Sequence, residues 1–545
     1  MGRSSRSDRS ARSTAAPTPA PSAAFIPNWI AAAILVVLTI AVYGNTLGNS
    51  LVFDDVGFLE GNDALRRPWD LAAIFGGQYH LFDLPTGLYR PLAVWSMTLD
   101  TWINLRLGMA PAAPAIFHLT NLLFHAAVAV ALYFWLVTLA WPARWSLLAA
   151  ALFVVHPIHS EAVNAIVGRA ELLAALFGVL MLIWHRQQRH VALCALAYLL
   201  AMWSKESGAT FLAVLVLADV AFNSNTNARW PIGRYVAYLA TFAFWLTLRA
   251  VNLSGQVSAV AFLDNPLVDA PMLSRWLTAA FAQLEYLRRL ILPVALSSDY
   301  SYDQVPVLSS LFDVRIVLAL VVLTMALVLA WCTRRAHPVV WFAIASYAAF
   351  FATTSNVIFP VGTIMGDRLA YSPSIAICLL AGYGAWQVSR RGSPALGTAI
   401  VASLSLVFAL LTVERNRAWS DELTFYTAQV ASAPRSAKAH FGLGAALSRV
   451  SRDDAAAVLE YERAIAIYPA YPDAYLNLGN ALRRLGAEPA RVIAAYQGAL
   501  GVDPSYAPAL ENLARYLMLQ GRDADAQPLL ARLQHLNPSA DRTTP

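Results

Sequence analysis

Two adjacent carboxylates, Asp54 and Asp55, stand in the stretch SLVFDDVGF a few residues beyond a long apolar run. Farther along come YRPL (89–92), HLTNLLFH (118–125), HPIHSEAVNAIVGRAELL (156–173), SKES (204–207), SDYSYD (298–303) and SNVIFPVGTIMGDRLAYSPS (355–374). Each sets ionisable or imidazole groups at the edge of an apolar segment. Such groups are costly at that depth and usually mark a pathway or a site. Alone, the acidic pair reads as a helix N-cap or a solvated loop pair, so its weight comes from its company. His156, His159 and Glu161 form H-x-x-H-x-E, which invites a zinc reading. The pattern is not H-E-x-x-H, and Pro157 argues for a helix boundary after His156. His118 and His125, seven apart, share a helix face and read as partners for helix–helix hydrogen bonds.

The elements that must position these groups are membrane helices. The chain has 545 residues, 58% hydrophobic and 13% charged, with a mean hydropathy of +0.52; soluble domains carry about 25% charged residues. Apolar runs occupy 28–47, 116–140, 146–157, 171–185, 191–203, 208–222, 234–251, 315–333, 338–353, 371–389 and 396–413, about eleven spans. The first looks too long for a signal-peptide core and reads as an uncleaved helix. With the Arg-bearing start cytoplasmic, Arg144, the RQQRH turn, Arg229, Arg234, CTRRAHP and SRRGSP fall on the same side. The acidic pair, the HPIHSEAV region and the loops 252–314 and 354–370 then lie outside. AVWSMTLDTWINLRLG (93–108) and SRWLTAAFAQLEYLRRLILP (274–293) mix apolar faces with charge and read as interfacial helices. The net charge of +6 sits largely in short loops, so nucleic acid is not an expected partner; membrane lipids are. Cys194, Cys332 and Cys378 lack metal-ligand spacing and read as small buried apolar residues.

After about residue 434 the character changes. AHFGLGAAL (439–447), AYLNLGNAL (474–482) and ALENLARYL (509–517) recur every 35 residues, and Pro434, Pro469, Pro504 and Pro538 keep nearly the same spacing. Small residues such as Gly444 and Gly479 recur where paired helices must approach. This is a tetratricopeptide-like array of about three repeats. The chain therefore divides into a disordered cytoplasmic start (1–27), a transmembrane domain (28–415) and an outer-face repeat domain (416–545). The fold class is all-α: a polytopic membrane helical bundle followed by an α-solenoid.

In this order, the external acidic pair, YRPL, H-x-x-N-L-x-x-H, HPIHSEAV–GRAELL, Lys205–Glu206, GTIMGDRLAYSPS and RNRAWSDE leading into repeats resemble the transmembrane and tetratricopeptide-repeat O-mannosyltransferases, in a bacterial-type form. That family is similar to the protein O-mannosyltransferases and has the C-type glycosyltransferase fold. One departure is Asp367–Arg368, where Glu-Arg is expected; a charged pair is kept.

The resemblance implies a membrane glycosyltransferase moving a sugar, mannose by preference, from a polyprenyl-phosphate donor to a protein Ser/Thr hydroxyl on the outer face. A hydroxyl nucleophile needs a general base, and a departing phosphate needs cations. By analogy with the acidic motif of that fold, Asp54 is assigned as base and Asp55 as its positioning partner, with the reverse order and a divalent metal left open. Arg90, Arg169, Lys205 and Arg368 are the candidates for the donor phosphate. Lys205 gains weight because only two of the 39 basic residues are lysine, and its plainer reading is an ion pair with Glu206. His156, His159, Glu161, Glu206 and Asp367 form the expected supporting polar shell, with His156 and His159 orienting the acidic pair or the donor. The repeats are expected to recruit acceptor proteins, in a bacterial plasma membrane with the site on the periplasmic side. An O-antigen ligase or oligosaccharyl transferase, and a non-catalytic scaffold presenting the repeats, are the competing readings.

Overall fold

The computed structural model describes residues 27–60, 62–77, 79–81, 84–222, 231–253 and 260–536. The expected disordered start (1–26), Arg229 and Pro538 lie outside the described residues. Helix α1 (Asn28–Tyr43) is apolar throughout, and α2 (Asp54–Leu59) begins on the acidic pair. A short helix, α3 (Leu71–Gly76), leads into an antiparallel hairpin of β1 (Tyr79–Leu81) and β2 (Leu84–Leu88). Helices α4 (Pro91–Arg106) and α5 (Pro114–Thr138) each open on proline, which costs nothing in a first turn whose N–H groups have no helical partner. Then α6 (Ala143–Val155) stops at His156, Pro157 opens a 3-10 turn, and α7 (Ser160–Asn164) departs at 50°. The helix boundary read from Pro157 is thus where the chain bends.

The bundle continues with α8 (Arg169–Arg186), α9 (Val191–Ser204), α10 (Phe211–Phe222), α11 (Ile232–Leu253), α12 (Met272–Ile291), α13 (Val314–Thr333), α14 (Pro338–Phe351), α15 (Ser374–Arg391) and α16 (Pro394–Arg417). Every apolar run of the sequence falls on one of these helices, and the chain is a multi-pass membrane protein. Among the described residues, six helices are long and apolar enough to cross a bilayer alone, or seven if the bent pair α6–α7 is one span. Eleven was the expected number. The difference comes from the short runs: α10, with 12 residues, reaches only about 18 Å at 1.5 Å per residue. Its expected first turn is a 3-10 segment, Glu206–Thr210, carrying polar residues of SKES.

Burial separates the centre of the bundle from its rim. The apolar window of α8 is 78% buried, whereas those of α11 and α13 are 17% buried. Leu132, Phe153, Leu172, Met202 and Leu379, from α5, α6, α8, α9 and α15, join one buried cluster. Helix α12 buries Leu277, Tyr286 and Leu290 but exposes Met272, Leu273 and Trp276, the two-faced character read from its sequence.

The repeats are three helix pairs: α18 (Ala437–Ala446) with α19 (Asp454–Ile467), α20 (Pro472–Arg484) with α21 (Pro489–Val502), and α22 (Ala507–Leu519) with α23 (Asp523–Leu536). A preceding helix, α17 (Glu422–Ser432), packs on α18. Asp421, Ser436 and Asp453 cap α17, α18 and α19 through their side chains. The glycines act as expected: a Cβ on Gly479 would come within 2.6 Å of the Tyr496 ring, and one on Gly444 within 2.8 Å of Tyr461. The array is fastened to the loops that follow α11 and α12. Lys438 binds Asp264 at 2.6 Å and Asp299 at 3.5 Å, Ala437 N–H donates to the Tyr302 carbonyl at 2.8 Å, and Ser297 Oγ donates to Gln429 at 2.7 Å. Beside α2, the Phe53 ring packs 5.5 Å from Phe425.

Candidate active site

Adjacent acids on a short helix point apart, and here they have separate surroundings. Asp55 is buried, its carboxylate accepting the backbone N–H groups of Ile166 (2.9 Å) and Val167 (3.0 Å). It thereby ties α2 to the turn before α8. Burial pushes the Asp55 carboxyl up to about 7, against the pull of those two N–H donors. Asp54 has a side chain 31% exposed, and its Oδ2 accepts from Arg368 Nη1 at 2.8 Å.

Asp54 lines a cavity of about 130 Å³ with Tyr79, Leu88, Arg90, Val167, Gly168, Glu171, Lys205 and Arg368. Three cations and two carboxylates therefore share one space. The elements that carry them are α2, the hairpin and the residue before α4, the start of α8, the C-terminal cap of α9 and the turn before α15. Gly168 is required: a Cβ there would lie 2.5 Å from the Ala162 carbonyl oxygen.

Neighbouring residues again diverge at 205 and 206. Lys205 has an extended backbone (φ −159°, ψ 149°), so consecutive side chains point to opposite sides. Its ammonium pairs with Glu171, while Arg90 donates twice to Glu206 Oε2, at 2.9 and 3.0 Å. The plainer expectation, a Lys205–Glu206 pair, is corrected to two crossed pairs. Arg368 is bound on both sides: its guanidinium reaches Asp54 and lies 3.5 Å from Glu161, and its backbone N–H donates to Glu161 Oε2 at 2.7 Å. Glu161 thus orients Arg368 from beneath.

Other expected site residues are placed elsewhere. Arg169 does not reach the cavity. It is fully buried, with Nη2 2.6 Å from Asp100 and further bonds to Asn121 (2.8 Å) and the Phe117 carbonyl (2.9 Å). Neither His156 nor His159 is bonded to the acidic pair: His156 Nε2 meets the Leu290 carbonyl at 2.9 Å, and His159 Nε2 meets Ser374 Oγ at 2.7 Å. They anchor α12 and the start of α15 instead. Asp367 is buried and accepts from Tyr300 Oη at 2.9 Å, with Arg289 bonded to the same Tyr300 oxygen at 2.9 Å; burial raises its carboxyl to about 6. Among the described residues, no three His, Cys, Asp or Glu side chains are grouped to hold a metal ion.

Glu171 and Tyr79 are cavity residues that the sequence reading did not select. Glu171 was signalled by its chemistry: it is a carboxylate in the first turn of the most buried apolar helix, where an ionisable group calls for a partner. Tyr79 had no comparable signal, because it reaches the cavity only through the hairpin.

Comparisons with known proteins bear out the family resemblance. Residues 254–327 match the family described as protein O-mannosyl-transferase TMTC, DUF1736, and residues 453–486 match the TPR repeat. A protein O-mannosyl-transferase of Caenorhabditis elegans is 27% identical over 433 residues, covering 76% of this chain and 59% of that protein. Protein O-mannosyl-transferase TMTC3 of Mus musculus is 25% identical over 461 residues, covering 77% of this chain and 49% of the relative. Protein O-mannosyl-transferase TMTC1 of Mus musculus is 25% identical over 568 residues, covering 83% and 59%. The chain thus spans about half to three fifths of the length of these relatives.

Proposed function

We propose that this protein is a membrane O-mannosyltransferase that takes its sugar from a polyprenyl-phosphate donor and delivers it to a protein Ser/Thr hydroxyl. The observation that carries this reading is one cavity holding the Asp54 carboxylate with Arg90, Lys205 and Arg368. In the proposed step the acceptor hydroxyl oxygen attacks the anomeric carbon and forms the new C–O bond. Its proton passes to Asp54, and the bond from the anomeric carbon to the phosphate oxygen breaks. The lipid phosphate leaves with the bonding pair, and the cations stabilise the charge it gains. Arg368 holds Asp54 in place, and the Asp55 bonds to Ile166 and Val167 fix the helix that presents it. The relatives named as protein O-mannosyl-transferases support the sugar and the protein acceptor; the lipid carrier rests on the cationic cavity at the edge of the bundle.

The distribution of basic loops in the sequence supports the outer face for the cavity, the Arg- and Ala-rich composition supports a bacterial plasma membrane, and in this reading the repeat array recruits the acceptor. Three side-chain cations, Arg90, Lys205 and Arg368, line the cavity to meet the charge of the leaving phosphate. The test is incorporation of radiolabel from polyprenyl-phosphate mannose into protein by membranes containing the chain, with GDP-mannose as control. Label should arrive from the lipid donor alone. Transfer from GDP-mannose by the purified chain in detergent, with no polyprenyl phosphate added, would refute the donor assignment.

A further inference from the structure

A second cavity, of about 560 Å³, lies between α2 and the repeat array. Phe53 and Val56 form its wall on the membrane-domain side, so residues 53 and 54, adjacent in the chain, face two different cavities. Phe53 holds this position with a left-handed φ of 57°, a backbone a bulky side chain adopts only under constraint; its packing on Phe425 supplies that constraint. On the repeat side the wall is aromatic. The Tyr461 ring packs against Gly444 and the Tyr426 ring against Gly442, so closely that a Cβ at either glycine would overlap the ring, and both rings line the groove. Asn477 adds an amide able to bond a peptide backbone. The charged lining carries one arginine in excess: Arg449 pairs with Glu422 and Arg484 with Asp454 at 2.8 Å, while Arg452 stands exposed beside them.

We propose that this groove binds an extended, acidic segment of the acceptor protein and delivers its Ser/Thr side chain past Phe53 to Asp54. The proposal rests on the transferase reading and names the chemical class of its acceptor. Aromatic walls and a backbone-bonding amide suit an extended chain without fixing its sequence, whereas the arginine excess selects for carboxylates near the hydroxyl. Phe53 and Asp54 are one residue of backbone apart, and in the proposed path the peptide lies over Phe53 with its hydroxyl side chain reaching into the Asp54 cavity.

Binding is measured without donor, on the full chain in nanodiscs. The probe is a fluorescein-labelled peptide with one central Thr flanked by alternating Glu and Ala, compared with the same peptide carrying Lys for Glu. The Glu peptide should bind and weaken with salt, and the Lys peptide should not bind. Arg452→Glu, at an exposed position, should weaken binding about fivefold, the scale of one exposed charge contact. Glu422→Gln removes the opposing carboxylate and should tighten binding about threefold, a gain that misfolding cannot mimic. Equal binding of the two peptides, no binding of either, or indifference to both substitutions would overturn the proposal. Charge-selective binding in a chain that transfers no label would overturn the transferase reading and leave the groove standing. Transfer without charge-selective binding would overturn the groove alone.

Discussion

Removing Lys205 should damage stability and donor recognition separately, and the two can be measured apart. The side chains of Lys205 and Glu171 are 8% and 5% exposed, so each is the other's main compensation for leaving water. Lys205→Met leaves a buried, uncompensated carboxylate at a cost of about 3–5 kcal/mol. Glu171→Gln strands the ammonium at a similar cost. The double variant removes both charges, and buried pairs replaced by uncharged side chains of like volume are often nearly neutral. The double-mutant cycle should therefore show a coupling of at least about 2 kcal/mol, read from denaturant unfolding in mixed micelles by tryptophan fluorescence. Costs that add to within about 0.5 kcal/mol would show that the two groups do not form the pair. Because Glu171 lines the same cavity, the comparison of the double variant with Glu171→Gln then isolates the role of Lys205 at the donor. Losing one charge-assisted contact of about 1.5–3 kcal/mol should raise the donor KM about tenfold or more. An unchanged KM would remove Lys205 from the phosphate site.

Three further outcomes follow from individual placements. Asp55 has a folded-state carboxyl near 7 against an ordinary value of 3.8, so its contribution to stability is complete below about pH 4 and is lost as pH rises through 7. The unfolding midpoint should fall between about pH 4 and pH 7, reinforced up to about pH 6 by Asp367, raised to about 6, and Asp55→Asn should flatten that slope. Arg169→Met, which strands buried Asp100, should cost about 3–5 kcal/mol with no change in donor KM of the folded fraction; a raised KM would return Arg169 to the donor site. Gly444→Val places a side chain where the Tyr461 ring lies 2.8 Å from a built Cβ, and should destabilise the repeat domain by about 1–3 kcal/mol in denaturant titration.

The local signals in the sequence were strong and the structure follows them. Pro157 ended a helix where backbone sterics said it must, and the 35-residue spacing of Gly444 and Gly479 marked helix pairs in close contact. What could not be read were partners set by the rotation of one helix against another. Arg169 and Asp100 are far apart in sequence, and only the packing of α4 on α8 buries them together. Arg368 meets Glu161 across 207 positions, so neither residue type nor spacing could name the pair. The scarcity of lysine drew attention to Lys205. The same argument applied equally to Lys438, the other lysine, which bridges Asp264 and Asp299 where the repeats join the membrane domain. Adjacent pairs were also ambiguous in sequence: Asp54–Asp55 and Lys205–Glu206 each divide between the cavity and its supports, according to backbone conformation.

The most direct measurement is mannose transfer by purified full-length chain bearing Asp54→Asn, with radiolabelled polyprenyl-phosphate mannose, an acceptor peptide and donor binding measured in parallel. Asparagine keeps the size of the side chain and can still accept from Arg368, but it cannot take the hydroxyl proton. Transfer should fall about 100-fold or more while donor affinity changes little, and Asp55→Asn, at matched folded protein, should retain most of the rate. Wild-type transfer by Asp54→Asn would contradict the assignment of Asp54 as the base.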